Sequence, residues 1–436
     1  MRSLQRWRRA FAVGAAGALL AAAMPTGTAA GAEAASSAVT AAAPATSACP
    51  VRHLPPTDFL DIVGAHEDGI RCLAWYGLAN GRSADRFAPR GRTTRGQFAS
   101  LLLRKLEEAA VPVPALGARA FDDTRGVTHG DAMERLHAAG LLRGTAPRTA
   151  SPGQRLTRGQ LATLIVAAVE YAEGRPLPTG PDAFRDDDGH FHEANIDRAA
   201  AAGLVVGRTA TRYEPGNALR RDQTATVLTR TLDRFVIDGR LARPPVPGLR
   251  WEATGIPAAV RQEMAGVSMH TGCPVGFDDL RLVVLTHRGF DGRLHRGELV
   301  VHRSAVTPLR QVFQAAYDAD FPLRRVVRIE HYAGSDDRSM AANNTSAFNC
   351  RRVTGGTSWS RHAYGTAIDL NPVQNPYVRG GTVLPSAGAA YTDRGDVRPG
   401  MLVAGDPVVR AFDAIGWTWG GRWQTLKDYQ HFEAPS

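Results

Sequence analysis

Four side chains near the C-terminus have the types and spacing of a hydrolytic metal centre. His362 and Asp369 lie seven apart in SRHAYGTAID, and DYQHFE brings Asp428 and His431 about sixty residues later. Two imidazoles and one carboxylate make a three-donor set that suits Zn²⁺ and leaves a fourth position for water. Asp428, three positions before the last histidine, stands where a general base for that water belongs. The chain has no HExxH, so its donors do not pair on one helix face. They come from a loop, a short strand at 367–370 and the C-terminal segment. Gly365 and Ala367 suit a chain that bends and packs closely between the first two donors.

The elements that must position these groups fill residues 251–436. Residues 280–292 read as a strand and turn. Residues 298–322 read as a strand followed by an amphipathic helix with Val312, Phe313, Ala316 and Tyr317 inward. Residues 325–333 alternate as a strand. Strands and helices mix without a βαβ rhythm, so we expect an α+β domain with an antiparallel sheet. Three tryptophans, Trp417, Trp419 and Trp423, serve either the core or the stacking of sugar rings.

Upstream, residues 50–240 contain a threefold repeat. Phe59, Phe121 and Phe184 open the units, followed by Asp61, Asp122-Asp123 and Asp186-Asp187-Asp188. Gly77-Leu78, Gly140-Leu141 and Gly203-Leu204 recur at a spacing of 63, as do Pro89, Pro152 and Pro215. Arg95-Gly-Gln97, Arg158-Gly-Gln160 and Arg221-Asp-Gln223 keep the same spacing. Each unit reads as two helices, and internal repetition means one unit used three times. In the second unit the helices fall near 129–142 and 161–174, with Thr157 a natural N-cap. We divide the chain into a signal peptide (1–32), an Ala/Ser/Thr/Pro tether (33–48) and repeats at 49–110, 111–173 and 174–240. A Pro-rich boundary (241–250) and the C-terminal domain (251–436) follow.

Composition narrows the function class. Net charge is +10, with Lys105 and Lys427 the only lysines. Either an arginine-rich coding bias or affinity for an anionic polymer such as a wall glycan accounts for that charge. No basic stripe with interleaved aromatics points to nucleic acid. The arginine-rich start and the apolar run at 10–24 read as a secretory signal, too short for a membrane span. Export permits disulfides among Cys49, Cys72, Cys273 and Cys350. Four cysteines allow three connectivities, of which Cys49–Cys72 with Cys273–Cys350 alone stays within independently folding domains.

Two family resemblances follow from these motifs. The Phe-x-Asp openings, Gly-Leu helix ends, Phe87-Ala-Pro89 and Tyr213-Glu-Pro215 turns and Thr-Arg-Gly-Gln helix starts resemble S-layer homology domains. That resemblance implies an all-α, pseudo-threefold module holding cell-wall polysaccharide, with Arg95, Arg158 and Arg221 on its acidic groups. Gln stands where that family's motif ends in Glu, and the third copy reads Arg-Arg-Asp-Gln. Ser360-Arg-His362-x-x-Gly365-x-Ala367-x-Asp369 with Asp428-x-x-His431 resembles the M15 metallopeptidases. These are the D-alanyl-D-alanine carboxypeptidases and L-alanyl-D-glutamate endopeptidases; SMAANNTSAFNCR (339–351) and GFDG (289–292) look like the VanY-type branch. The resemblance implies one zinc on His362, Asp369 and His431, and a hedgehog/DD-peptidase-like fold. Many relatives carry Glu where Asp428 stands, one methylene longer; Glu433 is the weaker alternative base. An upstream arginine would steady the developing oxyanion: Arg351 or Arg338, with Arg351 preferred beside Cys350. Ser346, Asn349 and Arg338 would line a substrate groove. The implied protein is a secreted, wall-anchored carboxypeptidase trimming peptidoglycan stem peptides. The alternatives are the endopeptidase of the same family and a catalytically weak wall-binding protein.

Overall fold

The computed structural model describes residues 47–353 and 356–435. The signal peptide expected at 1–32 and nearly all of the tether expected at 33–48 fall outside the described residues. No helix among the described residues is long and apolar enough to cross a membrane.

Each repeat folds as two helices. They are α1 (Glu67–Trp75) and α2 (Arg95–Glu108), α3 (Gly130–Ala138) and α4 (Arg158–Glu173), α5 (Glu193–Ala201) and α6 (Arg221–Ile237). Local chemistry starts the long helices. The Thr94 and Thr157 hydroxyls accept from the Gln97 and Gln160 N–H groups, and each glutamine carbonyl accepts from the cap N–H. Such a reciprocal box satisfies two orphan helix donors and contributes about 1 kcal/mol per cap. In the third copy Arg220 N–H still donates to Gln223, while Asp222 accepts from the Gln223 N–H.

The repeats interlock in a ring. Helix α3 packs on α2, α5 on α4, and α1 on α6, so each short helix lies on the long helix of the preceding unit. Repeat 1 thereby closes onto repeat 3, and one apolar core runs through all three units. The arginine at each long-helix start spans the junction. Arg95 donates to the Ala150 and Arg143 carbonyls at 2.9 and 2.8 Å. Arg158 donates to those of Tyr213 and Val206 at 2.6 and 2.9 Å, and Arg221 to those of Phe87 and Asn80 at 3.0 Å each. The opening acids serve the turns. Asp61, Asp123 and Asp186 each accept two backbone N–H groups, ending on Ala88, Ser151 and Glu214. Those three residues have φ of 58°, 56° and 63°, a left-handed conformation that L-residues rarely adopt and that the carboxylates hold in place.

The C-terminal part is mixed α and β with small sheets. Strands β1 (Trp251–Gly255), β2 (Leu280–Arg288) and β3 (Leu294–His302) form an antiparallel sheet, with α7 (Ala258–Met264) between the first two. Helix α8 (Val306–Asp318) buries Val312, Phe313 and Ala316, whereas Tyr317 stays half-buried and its hydroxyl donates to the Pro247 carbonyl at 2.6 Å. Strand β4 (Arg325–Val326) pairs in parallel with β5 (Asn344–Thr345), flanking α9 (Asp336–Ala341). Strands β6 (Ala367–Asp369), β7 (Tyr377–Arg379) and β8 (Thr382–Leu384) precede α10 (Pro407–Ala414). Strands β9 (Thr418–Trp419), β10 (Lys427–Asp428) and β11 (His431–Glu433) close the chain. They make two further sheets, ordered β10-β7-β8 and β6-β11-β9.

One sequence expectation needs correction. The alternating stretch 325–333 is a strand only over Arg325–Val326; Ile329–Tyr332 is a 3-10 turn. The buried Arg328 guanidinium meets Glu298 at 3.0 Å, Glu330 at 3.2 Å and also Glu263. Gathering three carboxylates around one buried cation needs a turn, and that requirement overrides alternation. The Pro-rich boundary at 241–250 is held on two sides. Trp75 donates to the Pro245 carbonyl from one side, and Tyr317 holds Pro247 from the other. Arg293 forks onto Asp68 at 2.9 and 2.8 Å, tying repeat 1 to the C-terminal sheet. Cys49 bonds Cys72, and Cys273 bonds Cys350.

Candidate metal centre

Strand pairing brings the distant donors together. In the β6–β11 ladder His431 stands directly opposite Asp369, so both side chains share one face. Phe432, one residue on, points to the other face and stacks on Phe412 with ring centroids 3.7 Å apart. That fully buried anchor fixes the register, since a one-residue slip would swap Phe432 and His431 between core and site. His362 arrives on the 3-10 turn Arg361–Tyr364. The turn ends at Gly365 with φ 69°, whose carbonyl accepts from the His302 N–H at 2.9 Å. A Cβ there would lie 2.6 Å from the His302 nitrogen, so only glycine lets this loop lie on β3.

The hydrogen bonds decide which nitrogens are free. His362 Nδ1–H donates to the Ala347 carbonyl at 2.6 Å, leaving the Nε2 lone pair. His431 Nε2–H donates to Glu433 Oε2 at 3.1 Å, leaving Nδ1. Each partner accepts only, which sets the tautomer and aims the ring. His362 Nε2 lies 3.2 Å from His431 Nδ1 and 3.3 Å from Asp369 Oδ2, and His431 Nδ1 is 3.0 Å from Asp369 Oδ1. The three donor groups lie within 4.8 Å of one another and all three residues are buried. Two nitrogen lone pairs and a carboxylate converging out of water call for a cation between them. Burial works against ionised Asp369, but the two imidazoles hold its carboxyl well below the usual range. Burial likewise opposes a charged His431, yet Asp369 and Glu433 raise it to about 10. Protons and a metal therefore compete for His431 Nδ1.

Asp428 lies on β10, paired with Tyr377 of β7. The residue is half-buried, and its Oδ1 is sealed from solvent without a hydrogen-bond partner. Burial pushes its carboxyl up to about 6, against the pull of His431. A sealed, unpartnered carboxylate oxygen beside a three-donor cluster has the chemistry of a proton acceptor for a water held there. Gly420 permits this packing, because a Cβ on it would meet the Asp428 carbonyl at 2.6 Å.

The other sequence-derived residues fall in distinct places. Arg351 donates to Asp336 at 2.6 Å. Burial raises the Asp336 carboxyl, which also feels Arg351, Asp369 and His362, so the Arg351–Asp336 pair borders the donor cluster. Ser346 pairs with Asp369 through backbone hydrogen bonds of 3.1 and 2.9 Å, a framing role for β6. Buried Asn349 donates to the Gly334 carbonyl at 3.2 Å, and its N–H donates to the His362 carbonyl at the same distance. Arg338 is exposed on α9. Trp417 and Trp419 are core residues, whereas Trp423 is half-buried with its ring 5.5 Å from His431. The sequence reading weighed Glu433 only as a substitute base and missed Asp336. The i, i+2 spacing of His431 and Glu433 on a strand carried the clue to the first; nothing local pointed to the second.

In the repeats, two donor positions of each guanidinium of Arg95, Arg158 and Arg221 are spent on the junction carbonyls described above. Arg95 is buried. Arg221 lies over the Phe87 ring and, with Arg82 and Arg104, lines a cleft of about 250 Å³. Arg158, over Tyr213, lines a second cleft of about 330 Å³ with Arg92, Arg208 and Arg220.

Known proteins resemble parts of this chain. Residues 354–434, which take in His362, Asp369, Asp428 and His431, match the family model of D-alanyl-D-alanine carboxypeptidase. An endoglucanase of a Bacillus species is 27% identical over 168 residues, 37% of this chain and 17% of that protein. An S-layer protein of Bacillus thuringiensis subsp. finitimus is 25% identical over 171 residues, 38% of this chain and 20% of that protein. A surface-layer 125 kDa protein of Lysinibacillus sphaericus is 24% identical over 180 residues, 40% and 15% of the two chains. The chain thus spans a fifth or less of the length of these curated relatives. The C-terminal segment matches a peptidase family model, and the chain shares low identity with surface-layer proteins.

Proposed function

We propose that this chain is an exported, wall-anchored zinc peptidase that hydrolyses peptidoglycan stem peptides, acting as a D-alanyl-D-alanine carboxypeptidase. The observation that carries it is the convergence of His362 Nε2, His431 Nδ1 and Asp369 within 4.8 Å, beside the unpartnered Asp428 oxygen. Nitrogen and oxygen donors in this number favour Zn²⁺, held by these three residues. A zinc ion here would supply Lewis acidity and lower the pKa of a bound water. Asp428 takes the proton from the attacking water and returns it to the leaving amine. Glu433 and the Ala347 carbonyl keep both imidazoles oriented throughout. Arg351, partly neutralised by Asp336, supplies positive charge towards the developing oxyanion. Trp423 walls the site.

The repeats would hold the enzyme at an anionic wall polysaccharide, raising its local concentration at the substrate. The arginine-lined clefts support this, since each offers guanidinium donors beside an aromatic face. The surface-layer names among the relatives support a wall location. The test is digestion of purified peptidoglycan and of a synthetic pentapeptide stem, with products weighed by mass spectrometry. Release of one D-alanine supports the assignment. Cleavage between L-alanine and D-glutamate moves the enzyme to the endopeptidase branch, and no metal-dependent product at all leaves only the wall-binding role.

A further inference from the structure

The third repeat differs from the second at one buried spot. Asp187 is fully buried, and neither of its carboxylate oxygens has a hydrogen-bond partner. Asp182 and Asp188, both exposed, bring their carboxylates within 4.8 Å of it, and half-buried Asp197 stands behind. Counting 63 residues back gives the counterparts in repeat 2: Arg119, Thr124, Arg125 and Glu134. There the two buried groups, Thr124 and Glu134, are satisfied. Glu134 accepts from the Ala120 and Phe121 N–H groups at 2.9 and 3.2 Å and from the Thr124 hydroxyl, and Arg119 reaches Thr124 at 3.3 Å. In repeat 3 the two arginines and the threonine have become aspartates. Of the inherited bonds only Ala183 N–H to Asp197 is kept, at 3.0 Å.

A buried carboxylate with no donor and further acids around it lacks a positive charge. We propose that Asp182, Asp187 and Asp188 form a calcium-binding site in the third repeat. All the donors are carboxylate oxygens, which selects a hard cation over zinc, and the set contains no histidine or cysteine. The exposed side leaves room for water ligands, and three carboxylates within seven residues of one loop give the irregular geometry that Ca²⁺ accepts and Mg²⁺, which demands a near-ideal octahedron, does not. Consistently, burial and the neighbouring Asp197 push the Asp187 carboxyl up to about 6. The consequence is that the repeat module is fully charge-balanced only where calcium is abundant, as outside a cell. Affinity in the range of extracellular modules, a Kd of about 10⁻⁴ to 10⁻³ M, is expected.

The site is tested on the full chain by melting temperature and by calorimetric titration with CaCl₂. CaCl₂ should raise the melting temperature with one saturable site, and Asp188→Asn should weaken binding at least tenfold. Asp187→Asn should melt higher than the parent in chelator, because it removes an unpaired buried charge, and should lose the calcium response. His362→Ala, which disables the other metal cluster, should keep that response. A response that survives in Asp188→Asn and Asp187→Asn, or vanishes in His362→Ala, overturns the proposal. So does a chain that melts identically in CaCl₂ and chelator, or one that MgCl₂ stabilises as much as CaCl₂.

Discussion

The repeat ring and the metal centre solve the same problem, holding polar side chains in fixed geometry, by opposite means. In the ring one local solution is used three times. A turn-holding aspartate and a junction arginine recur at a spacing of 62 or 63 and make the same contact in each copy, and a threonine cap box opens the long helix of the first two. The metal centre is built once, from His362 in a loop, Asp369 on β6 and His431 on β11, and no local piece is complete without the others. Redundancy makes the ring tolerant of drift. Thr157 becomes Arg220 in the next copy, and Asp222 moves in to satisfy the cap. The metal centre has no spare copy, so single changes there should be far more costly to function.

That contrast can be broken by substitution, beginning where the effect is greatest. His362→Ala removes one of three donors and should abolish both bound metal and turnover, a loss of a thousandfold or more. Metal content by mass spectrometry and D-alanine release by chromatography read this out, and retained activity would overturn the centre. Next, Asp428→Asn should keep the metal and lose turnover by about 10² to 10⁴, the usual worth of a positioned base. Activity in this variant close to the parent's would pass the base role to another group. Glu433→Gln leaves the donors intact but removes the charge that aims His431, so metal affinity should fall about 10- to 100-fold. Competition with a coloured chelator measures that.

The pH profile sharpens the base assignment. Asp428 is held up at about 6, so its ionised form is lost as pH falls through that value. The acid limb of kcat/KM should therefore fall at or below pH 6, about tenfold per unit, and move in Asp428→Glu. A limb centred near the ordinary carboxylate range and unmoved by that substitution would count against it. The smallest effect belongs to the ring. Arg221→Ala cuts the two bonds that close repeat 3 onto repeat 1 and should cost about 1–3 kcal/mol, read as a lower urea midpoint. Retention of residues 47–240 on purified walls should weaken with it; unchanged retention would confine this arginine to the junction.

Much of the ring was legible because its signals are local. Thr157 before Arg-Gly-Gln marks a helix start whatever surrounds it, since the cap bonds join residues three apart. What the repeat pattern left open was partner choice. The junction arginines look like ligand-binding groups in sequence, yet the fold places a neighbouring repeat's carbonyls against them. The alternation at 325–333 misled for a similar reason, because three remote or neighbouring carboxylates around Arg328 reshape the chain.

By itself the sequence determined the donor types, their spacing and the threefold repetition, because these rest on residue identity and on bonds between near neighbours. Only the tertiary structure decided which nitrogen of each histidine is free, that Glu433 steers His431, and that the repeats close into a ring. Those outcomes depend on which distant strand or helix arrives alongside. Phe432 sealing its face of β11 against Phe412 is the packing event that sets His431 opposite Asp369.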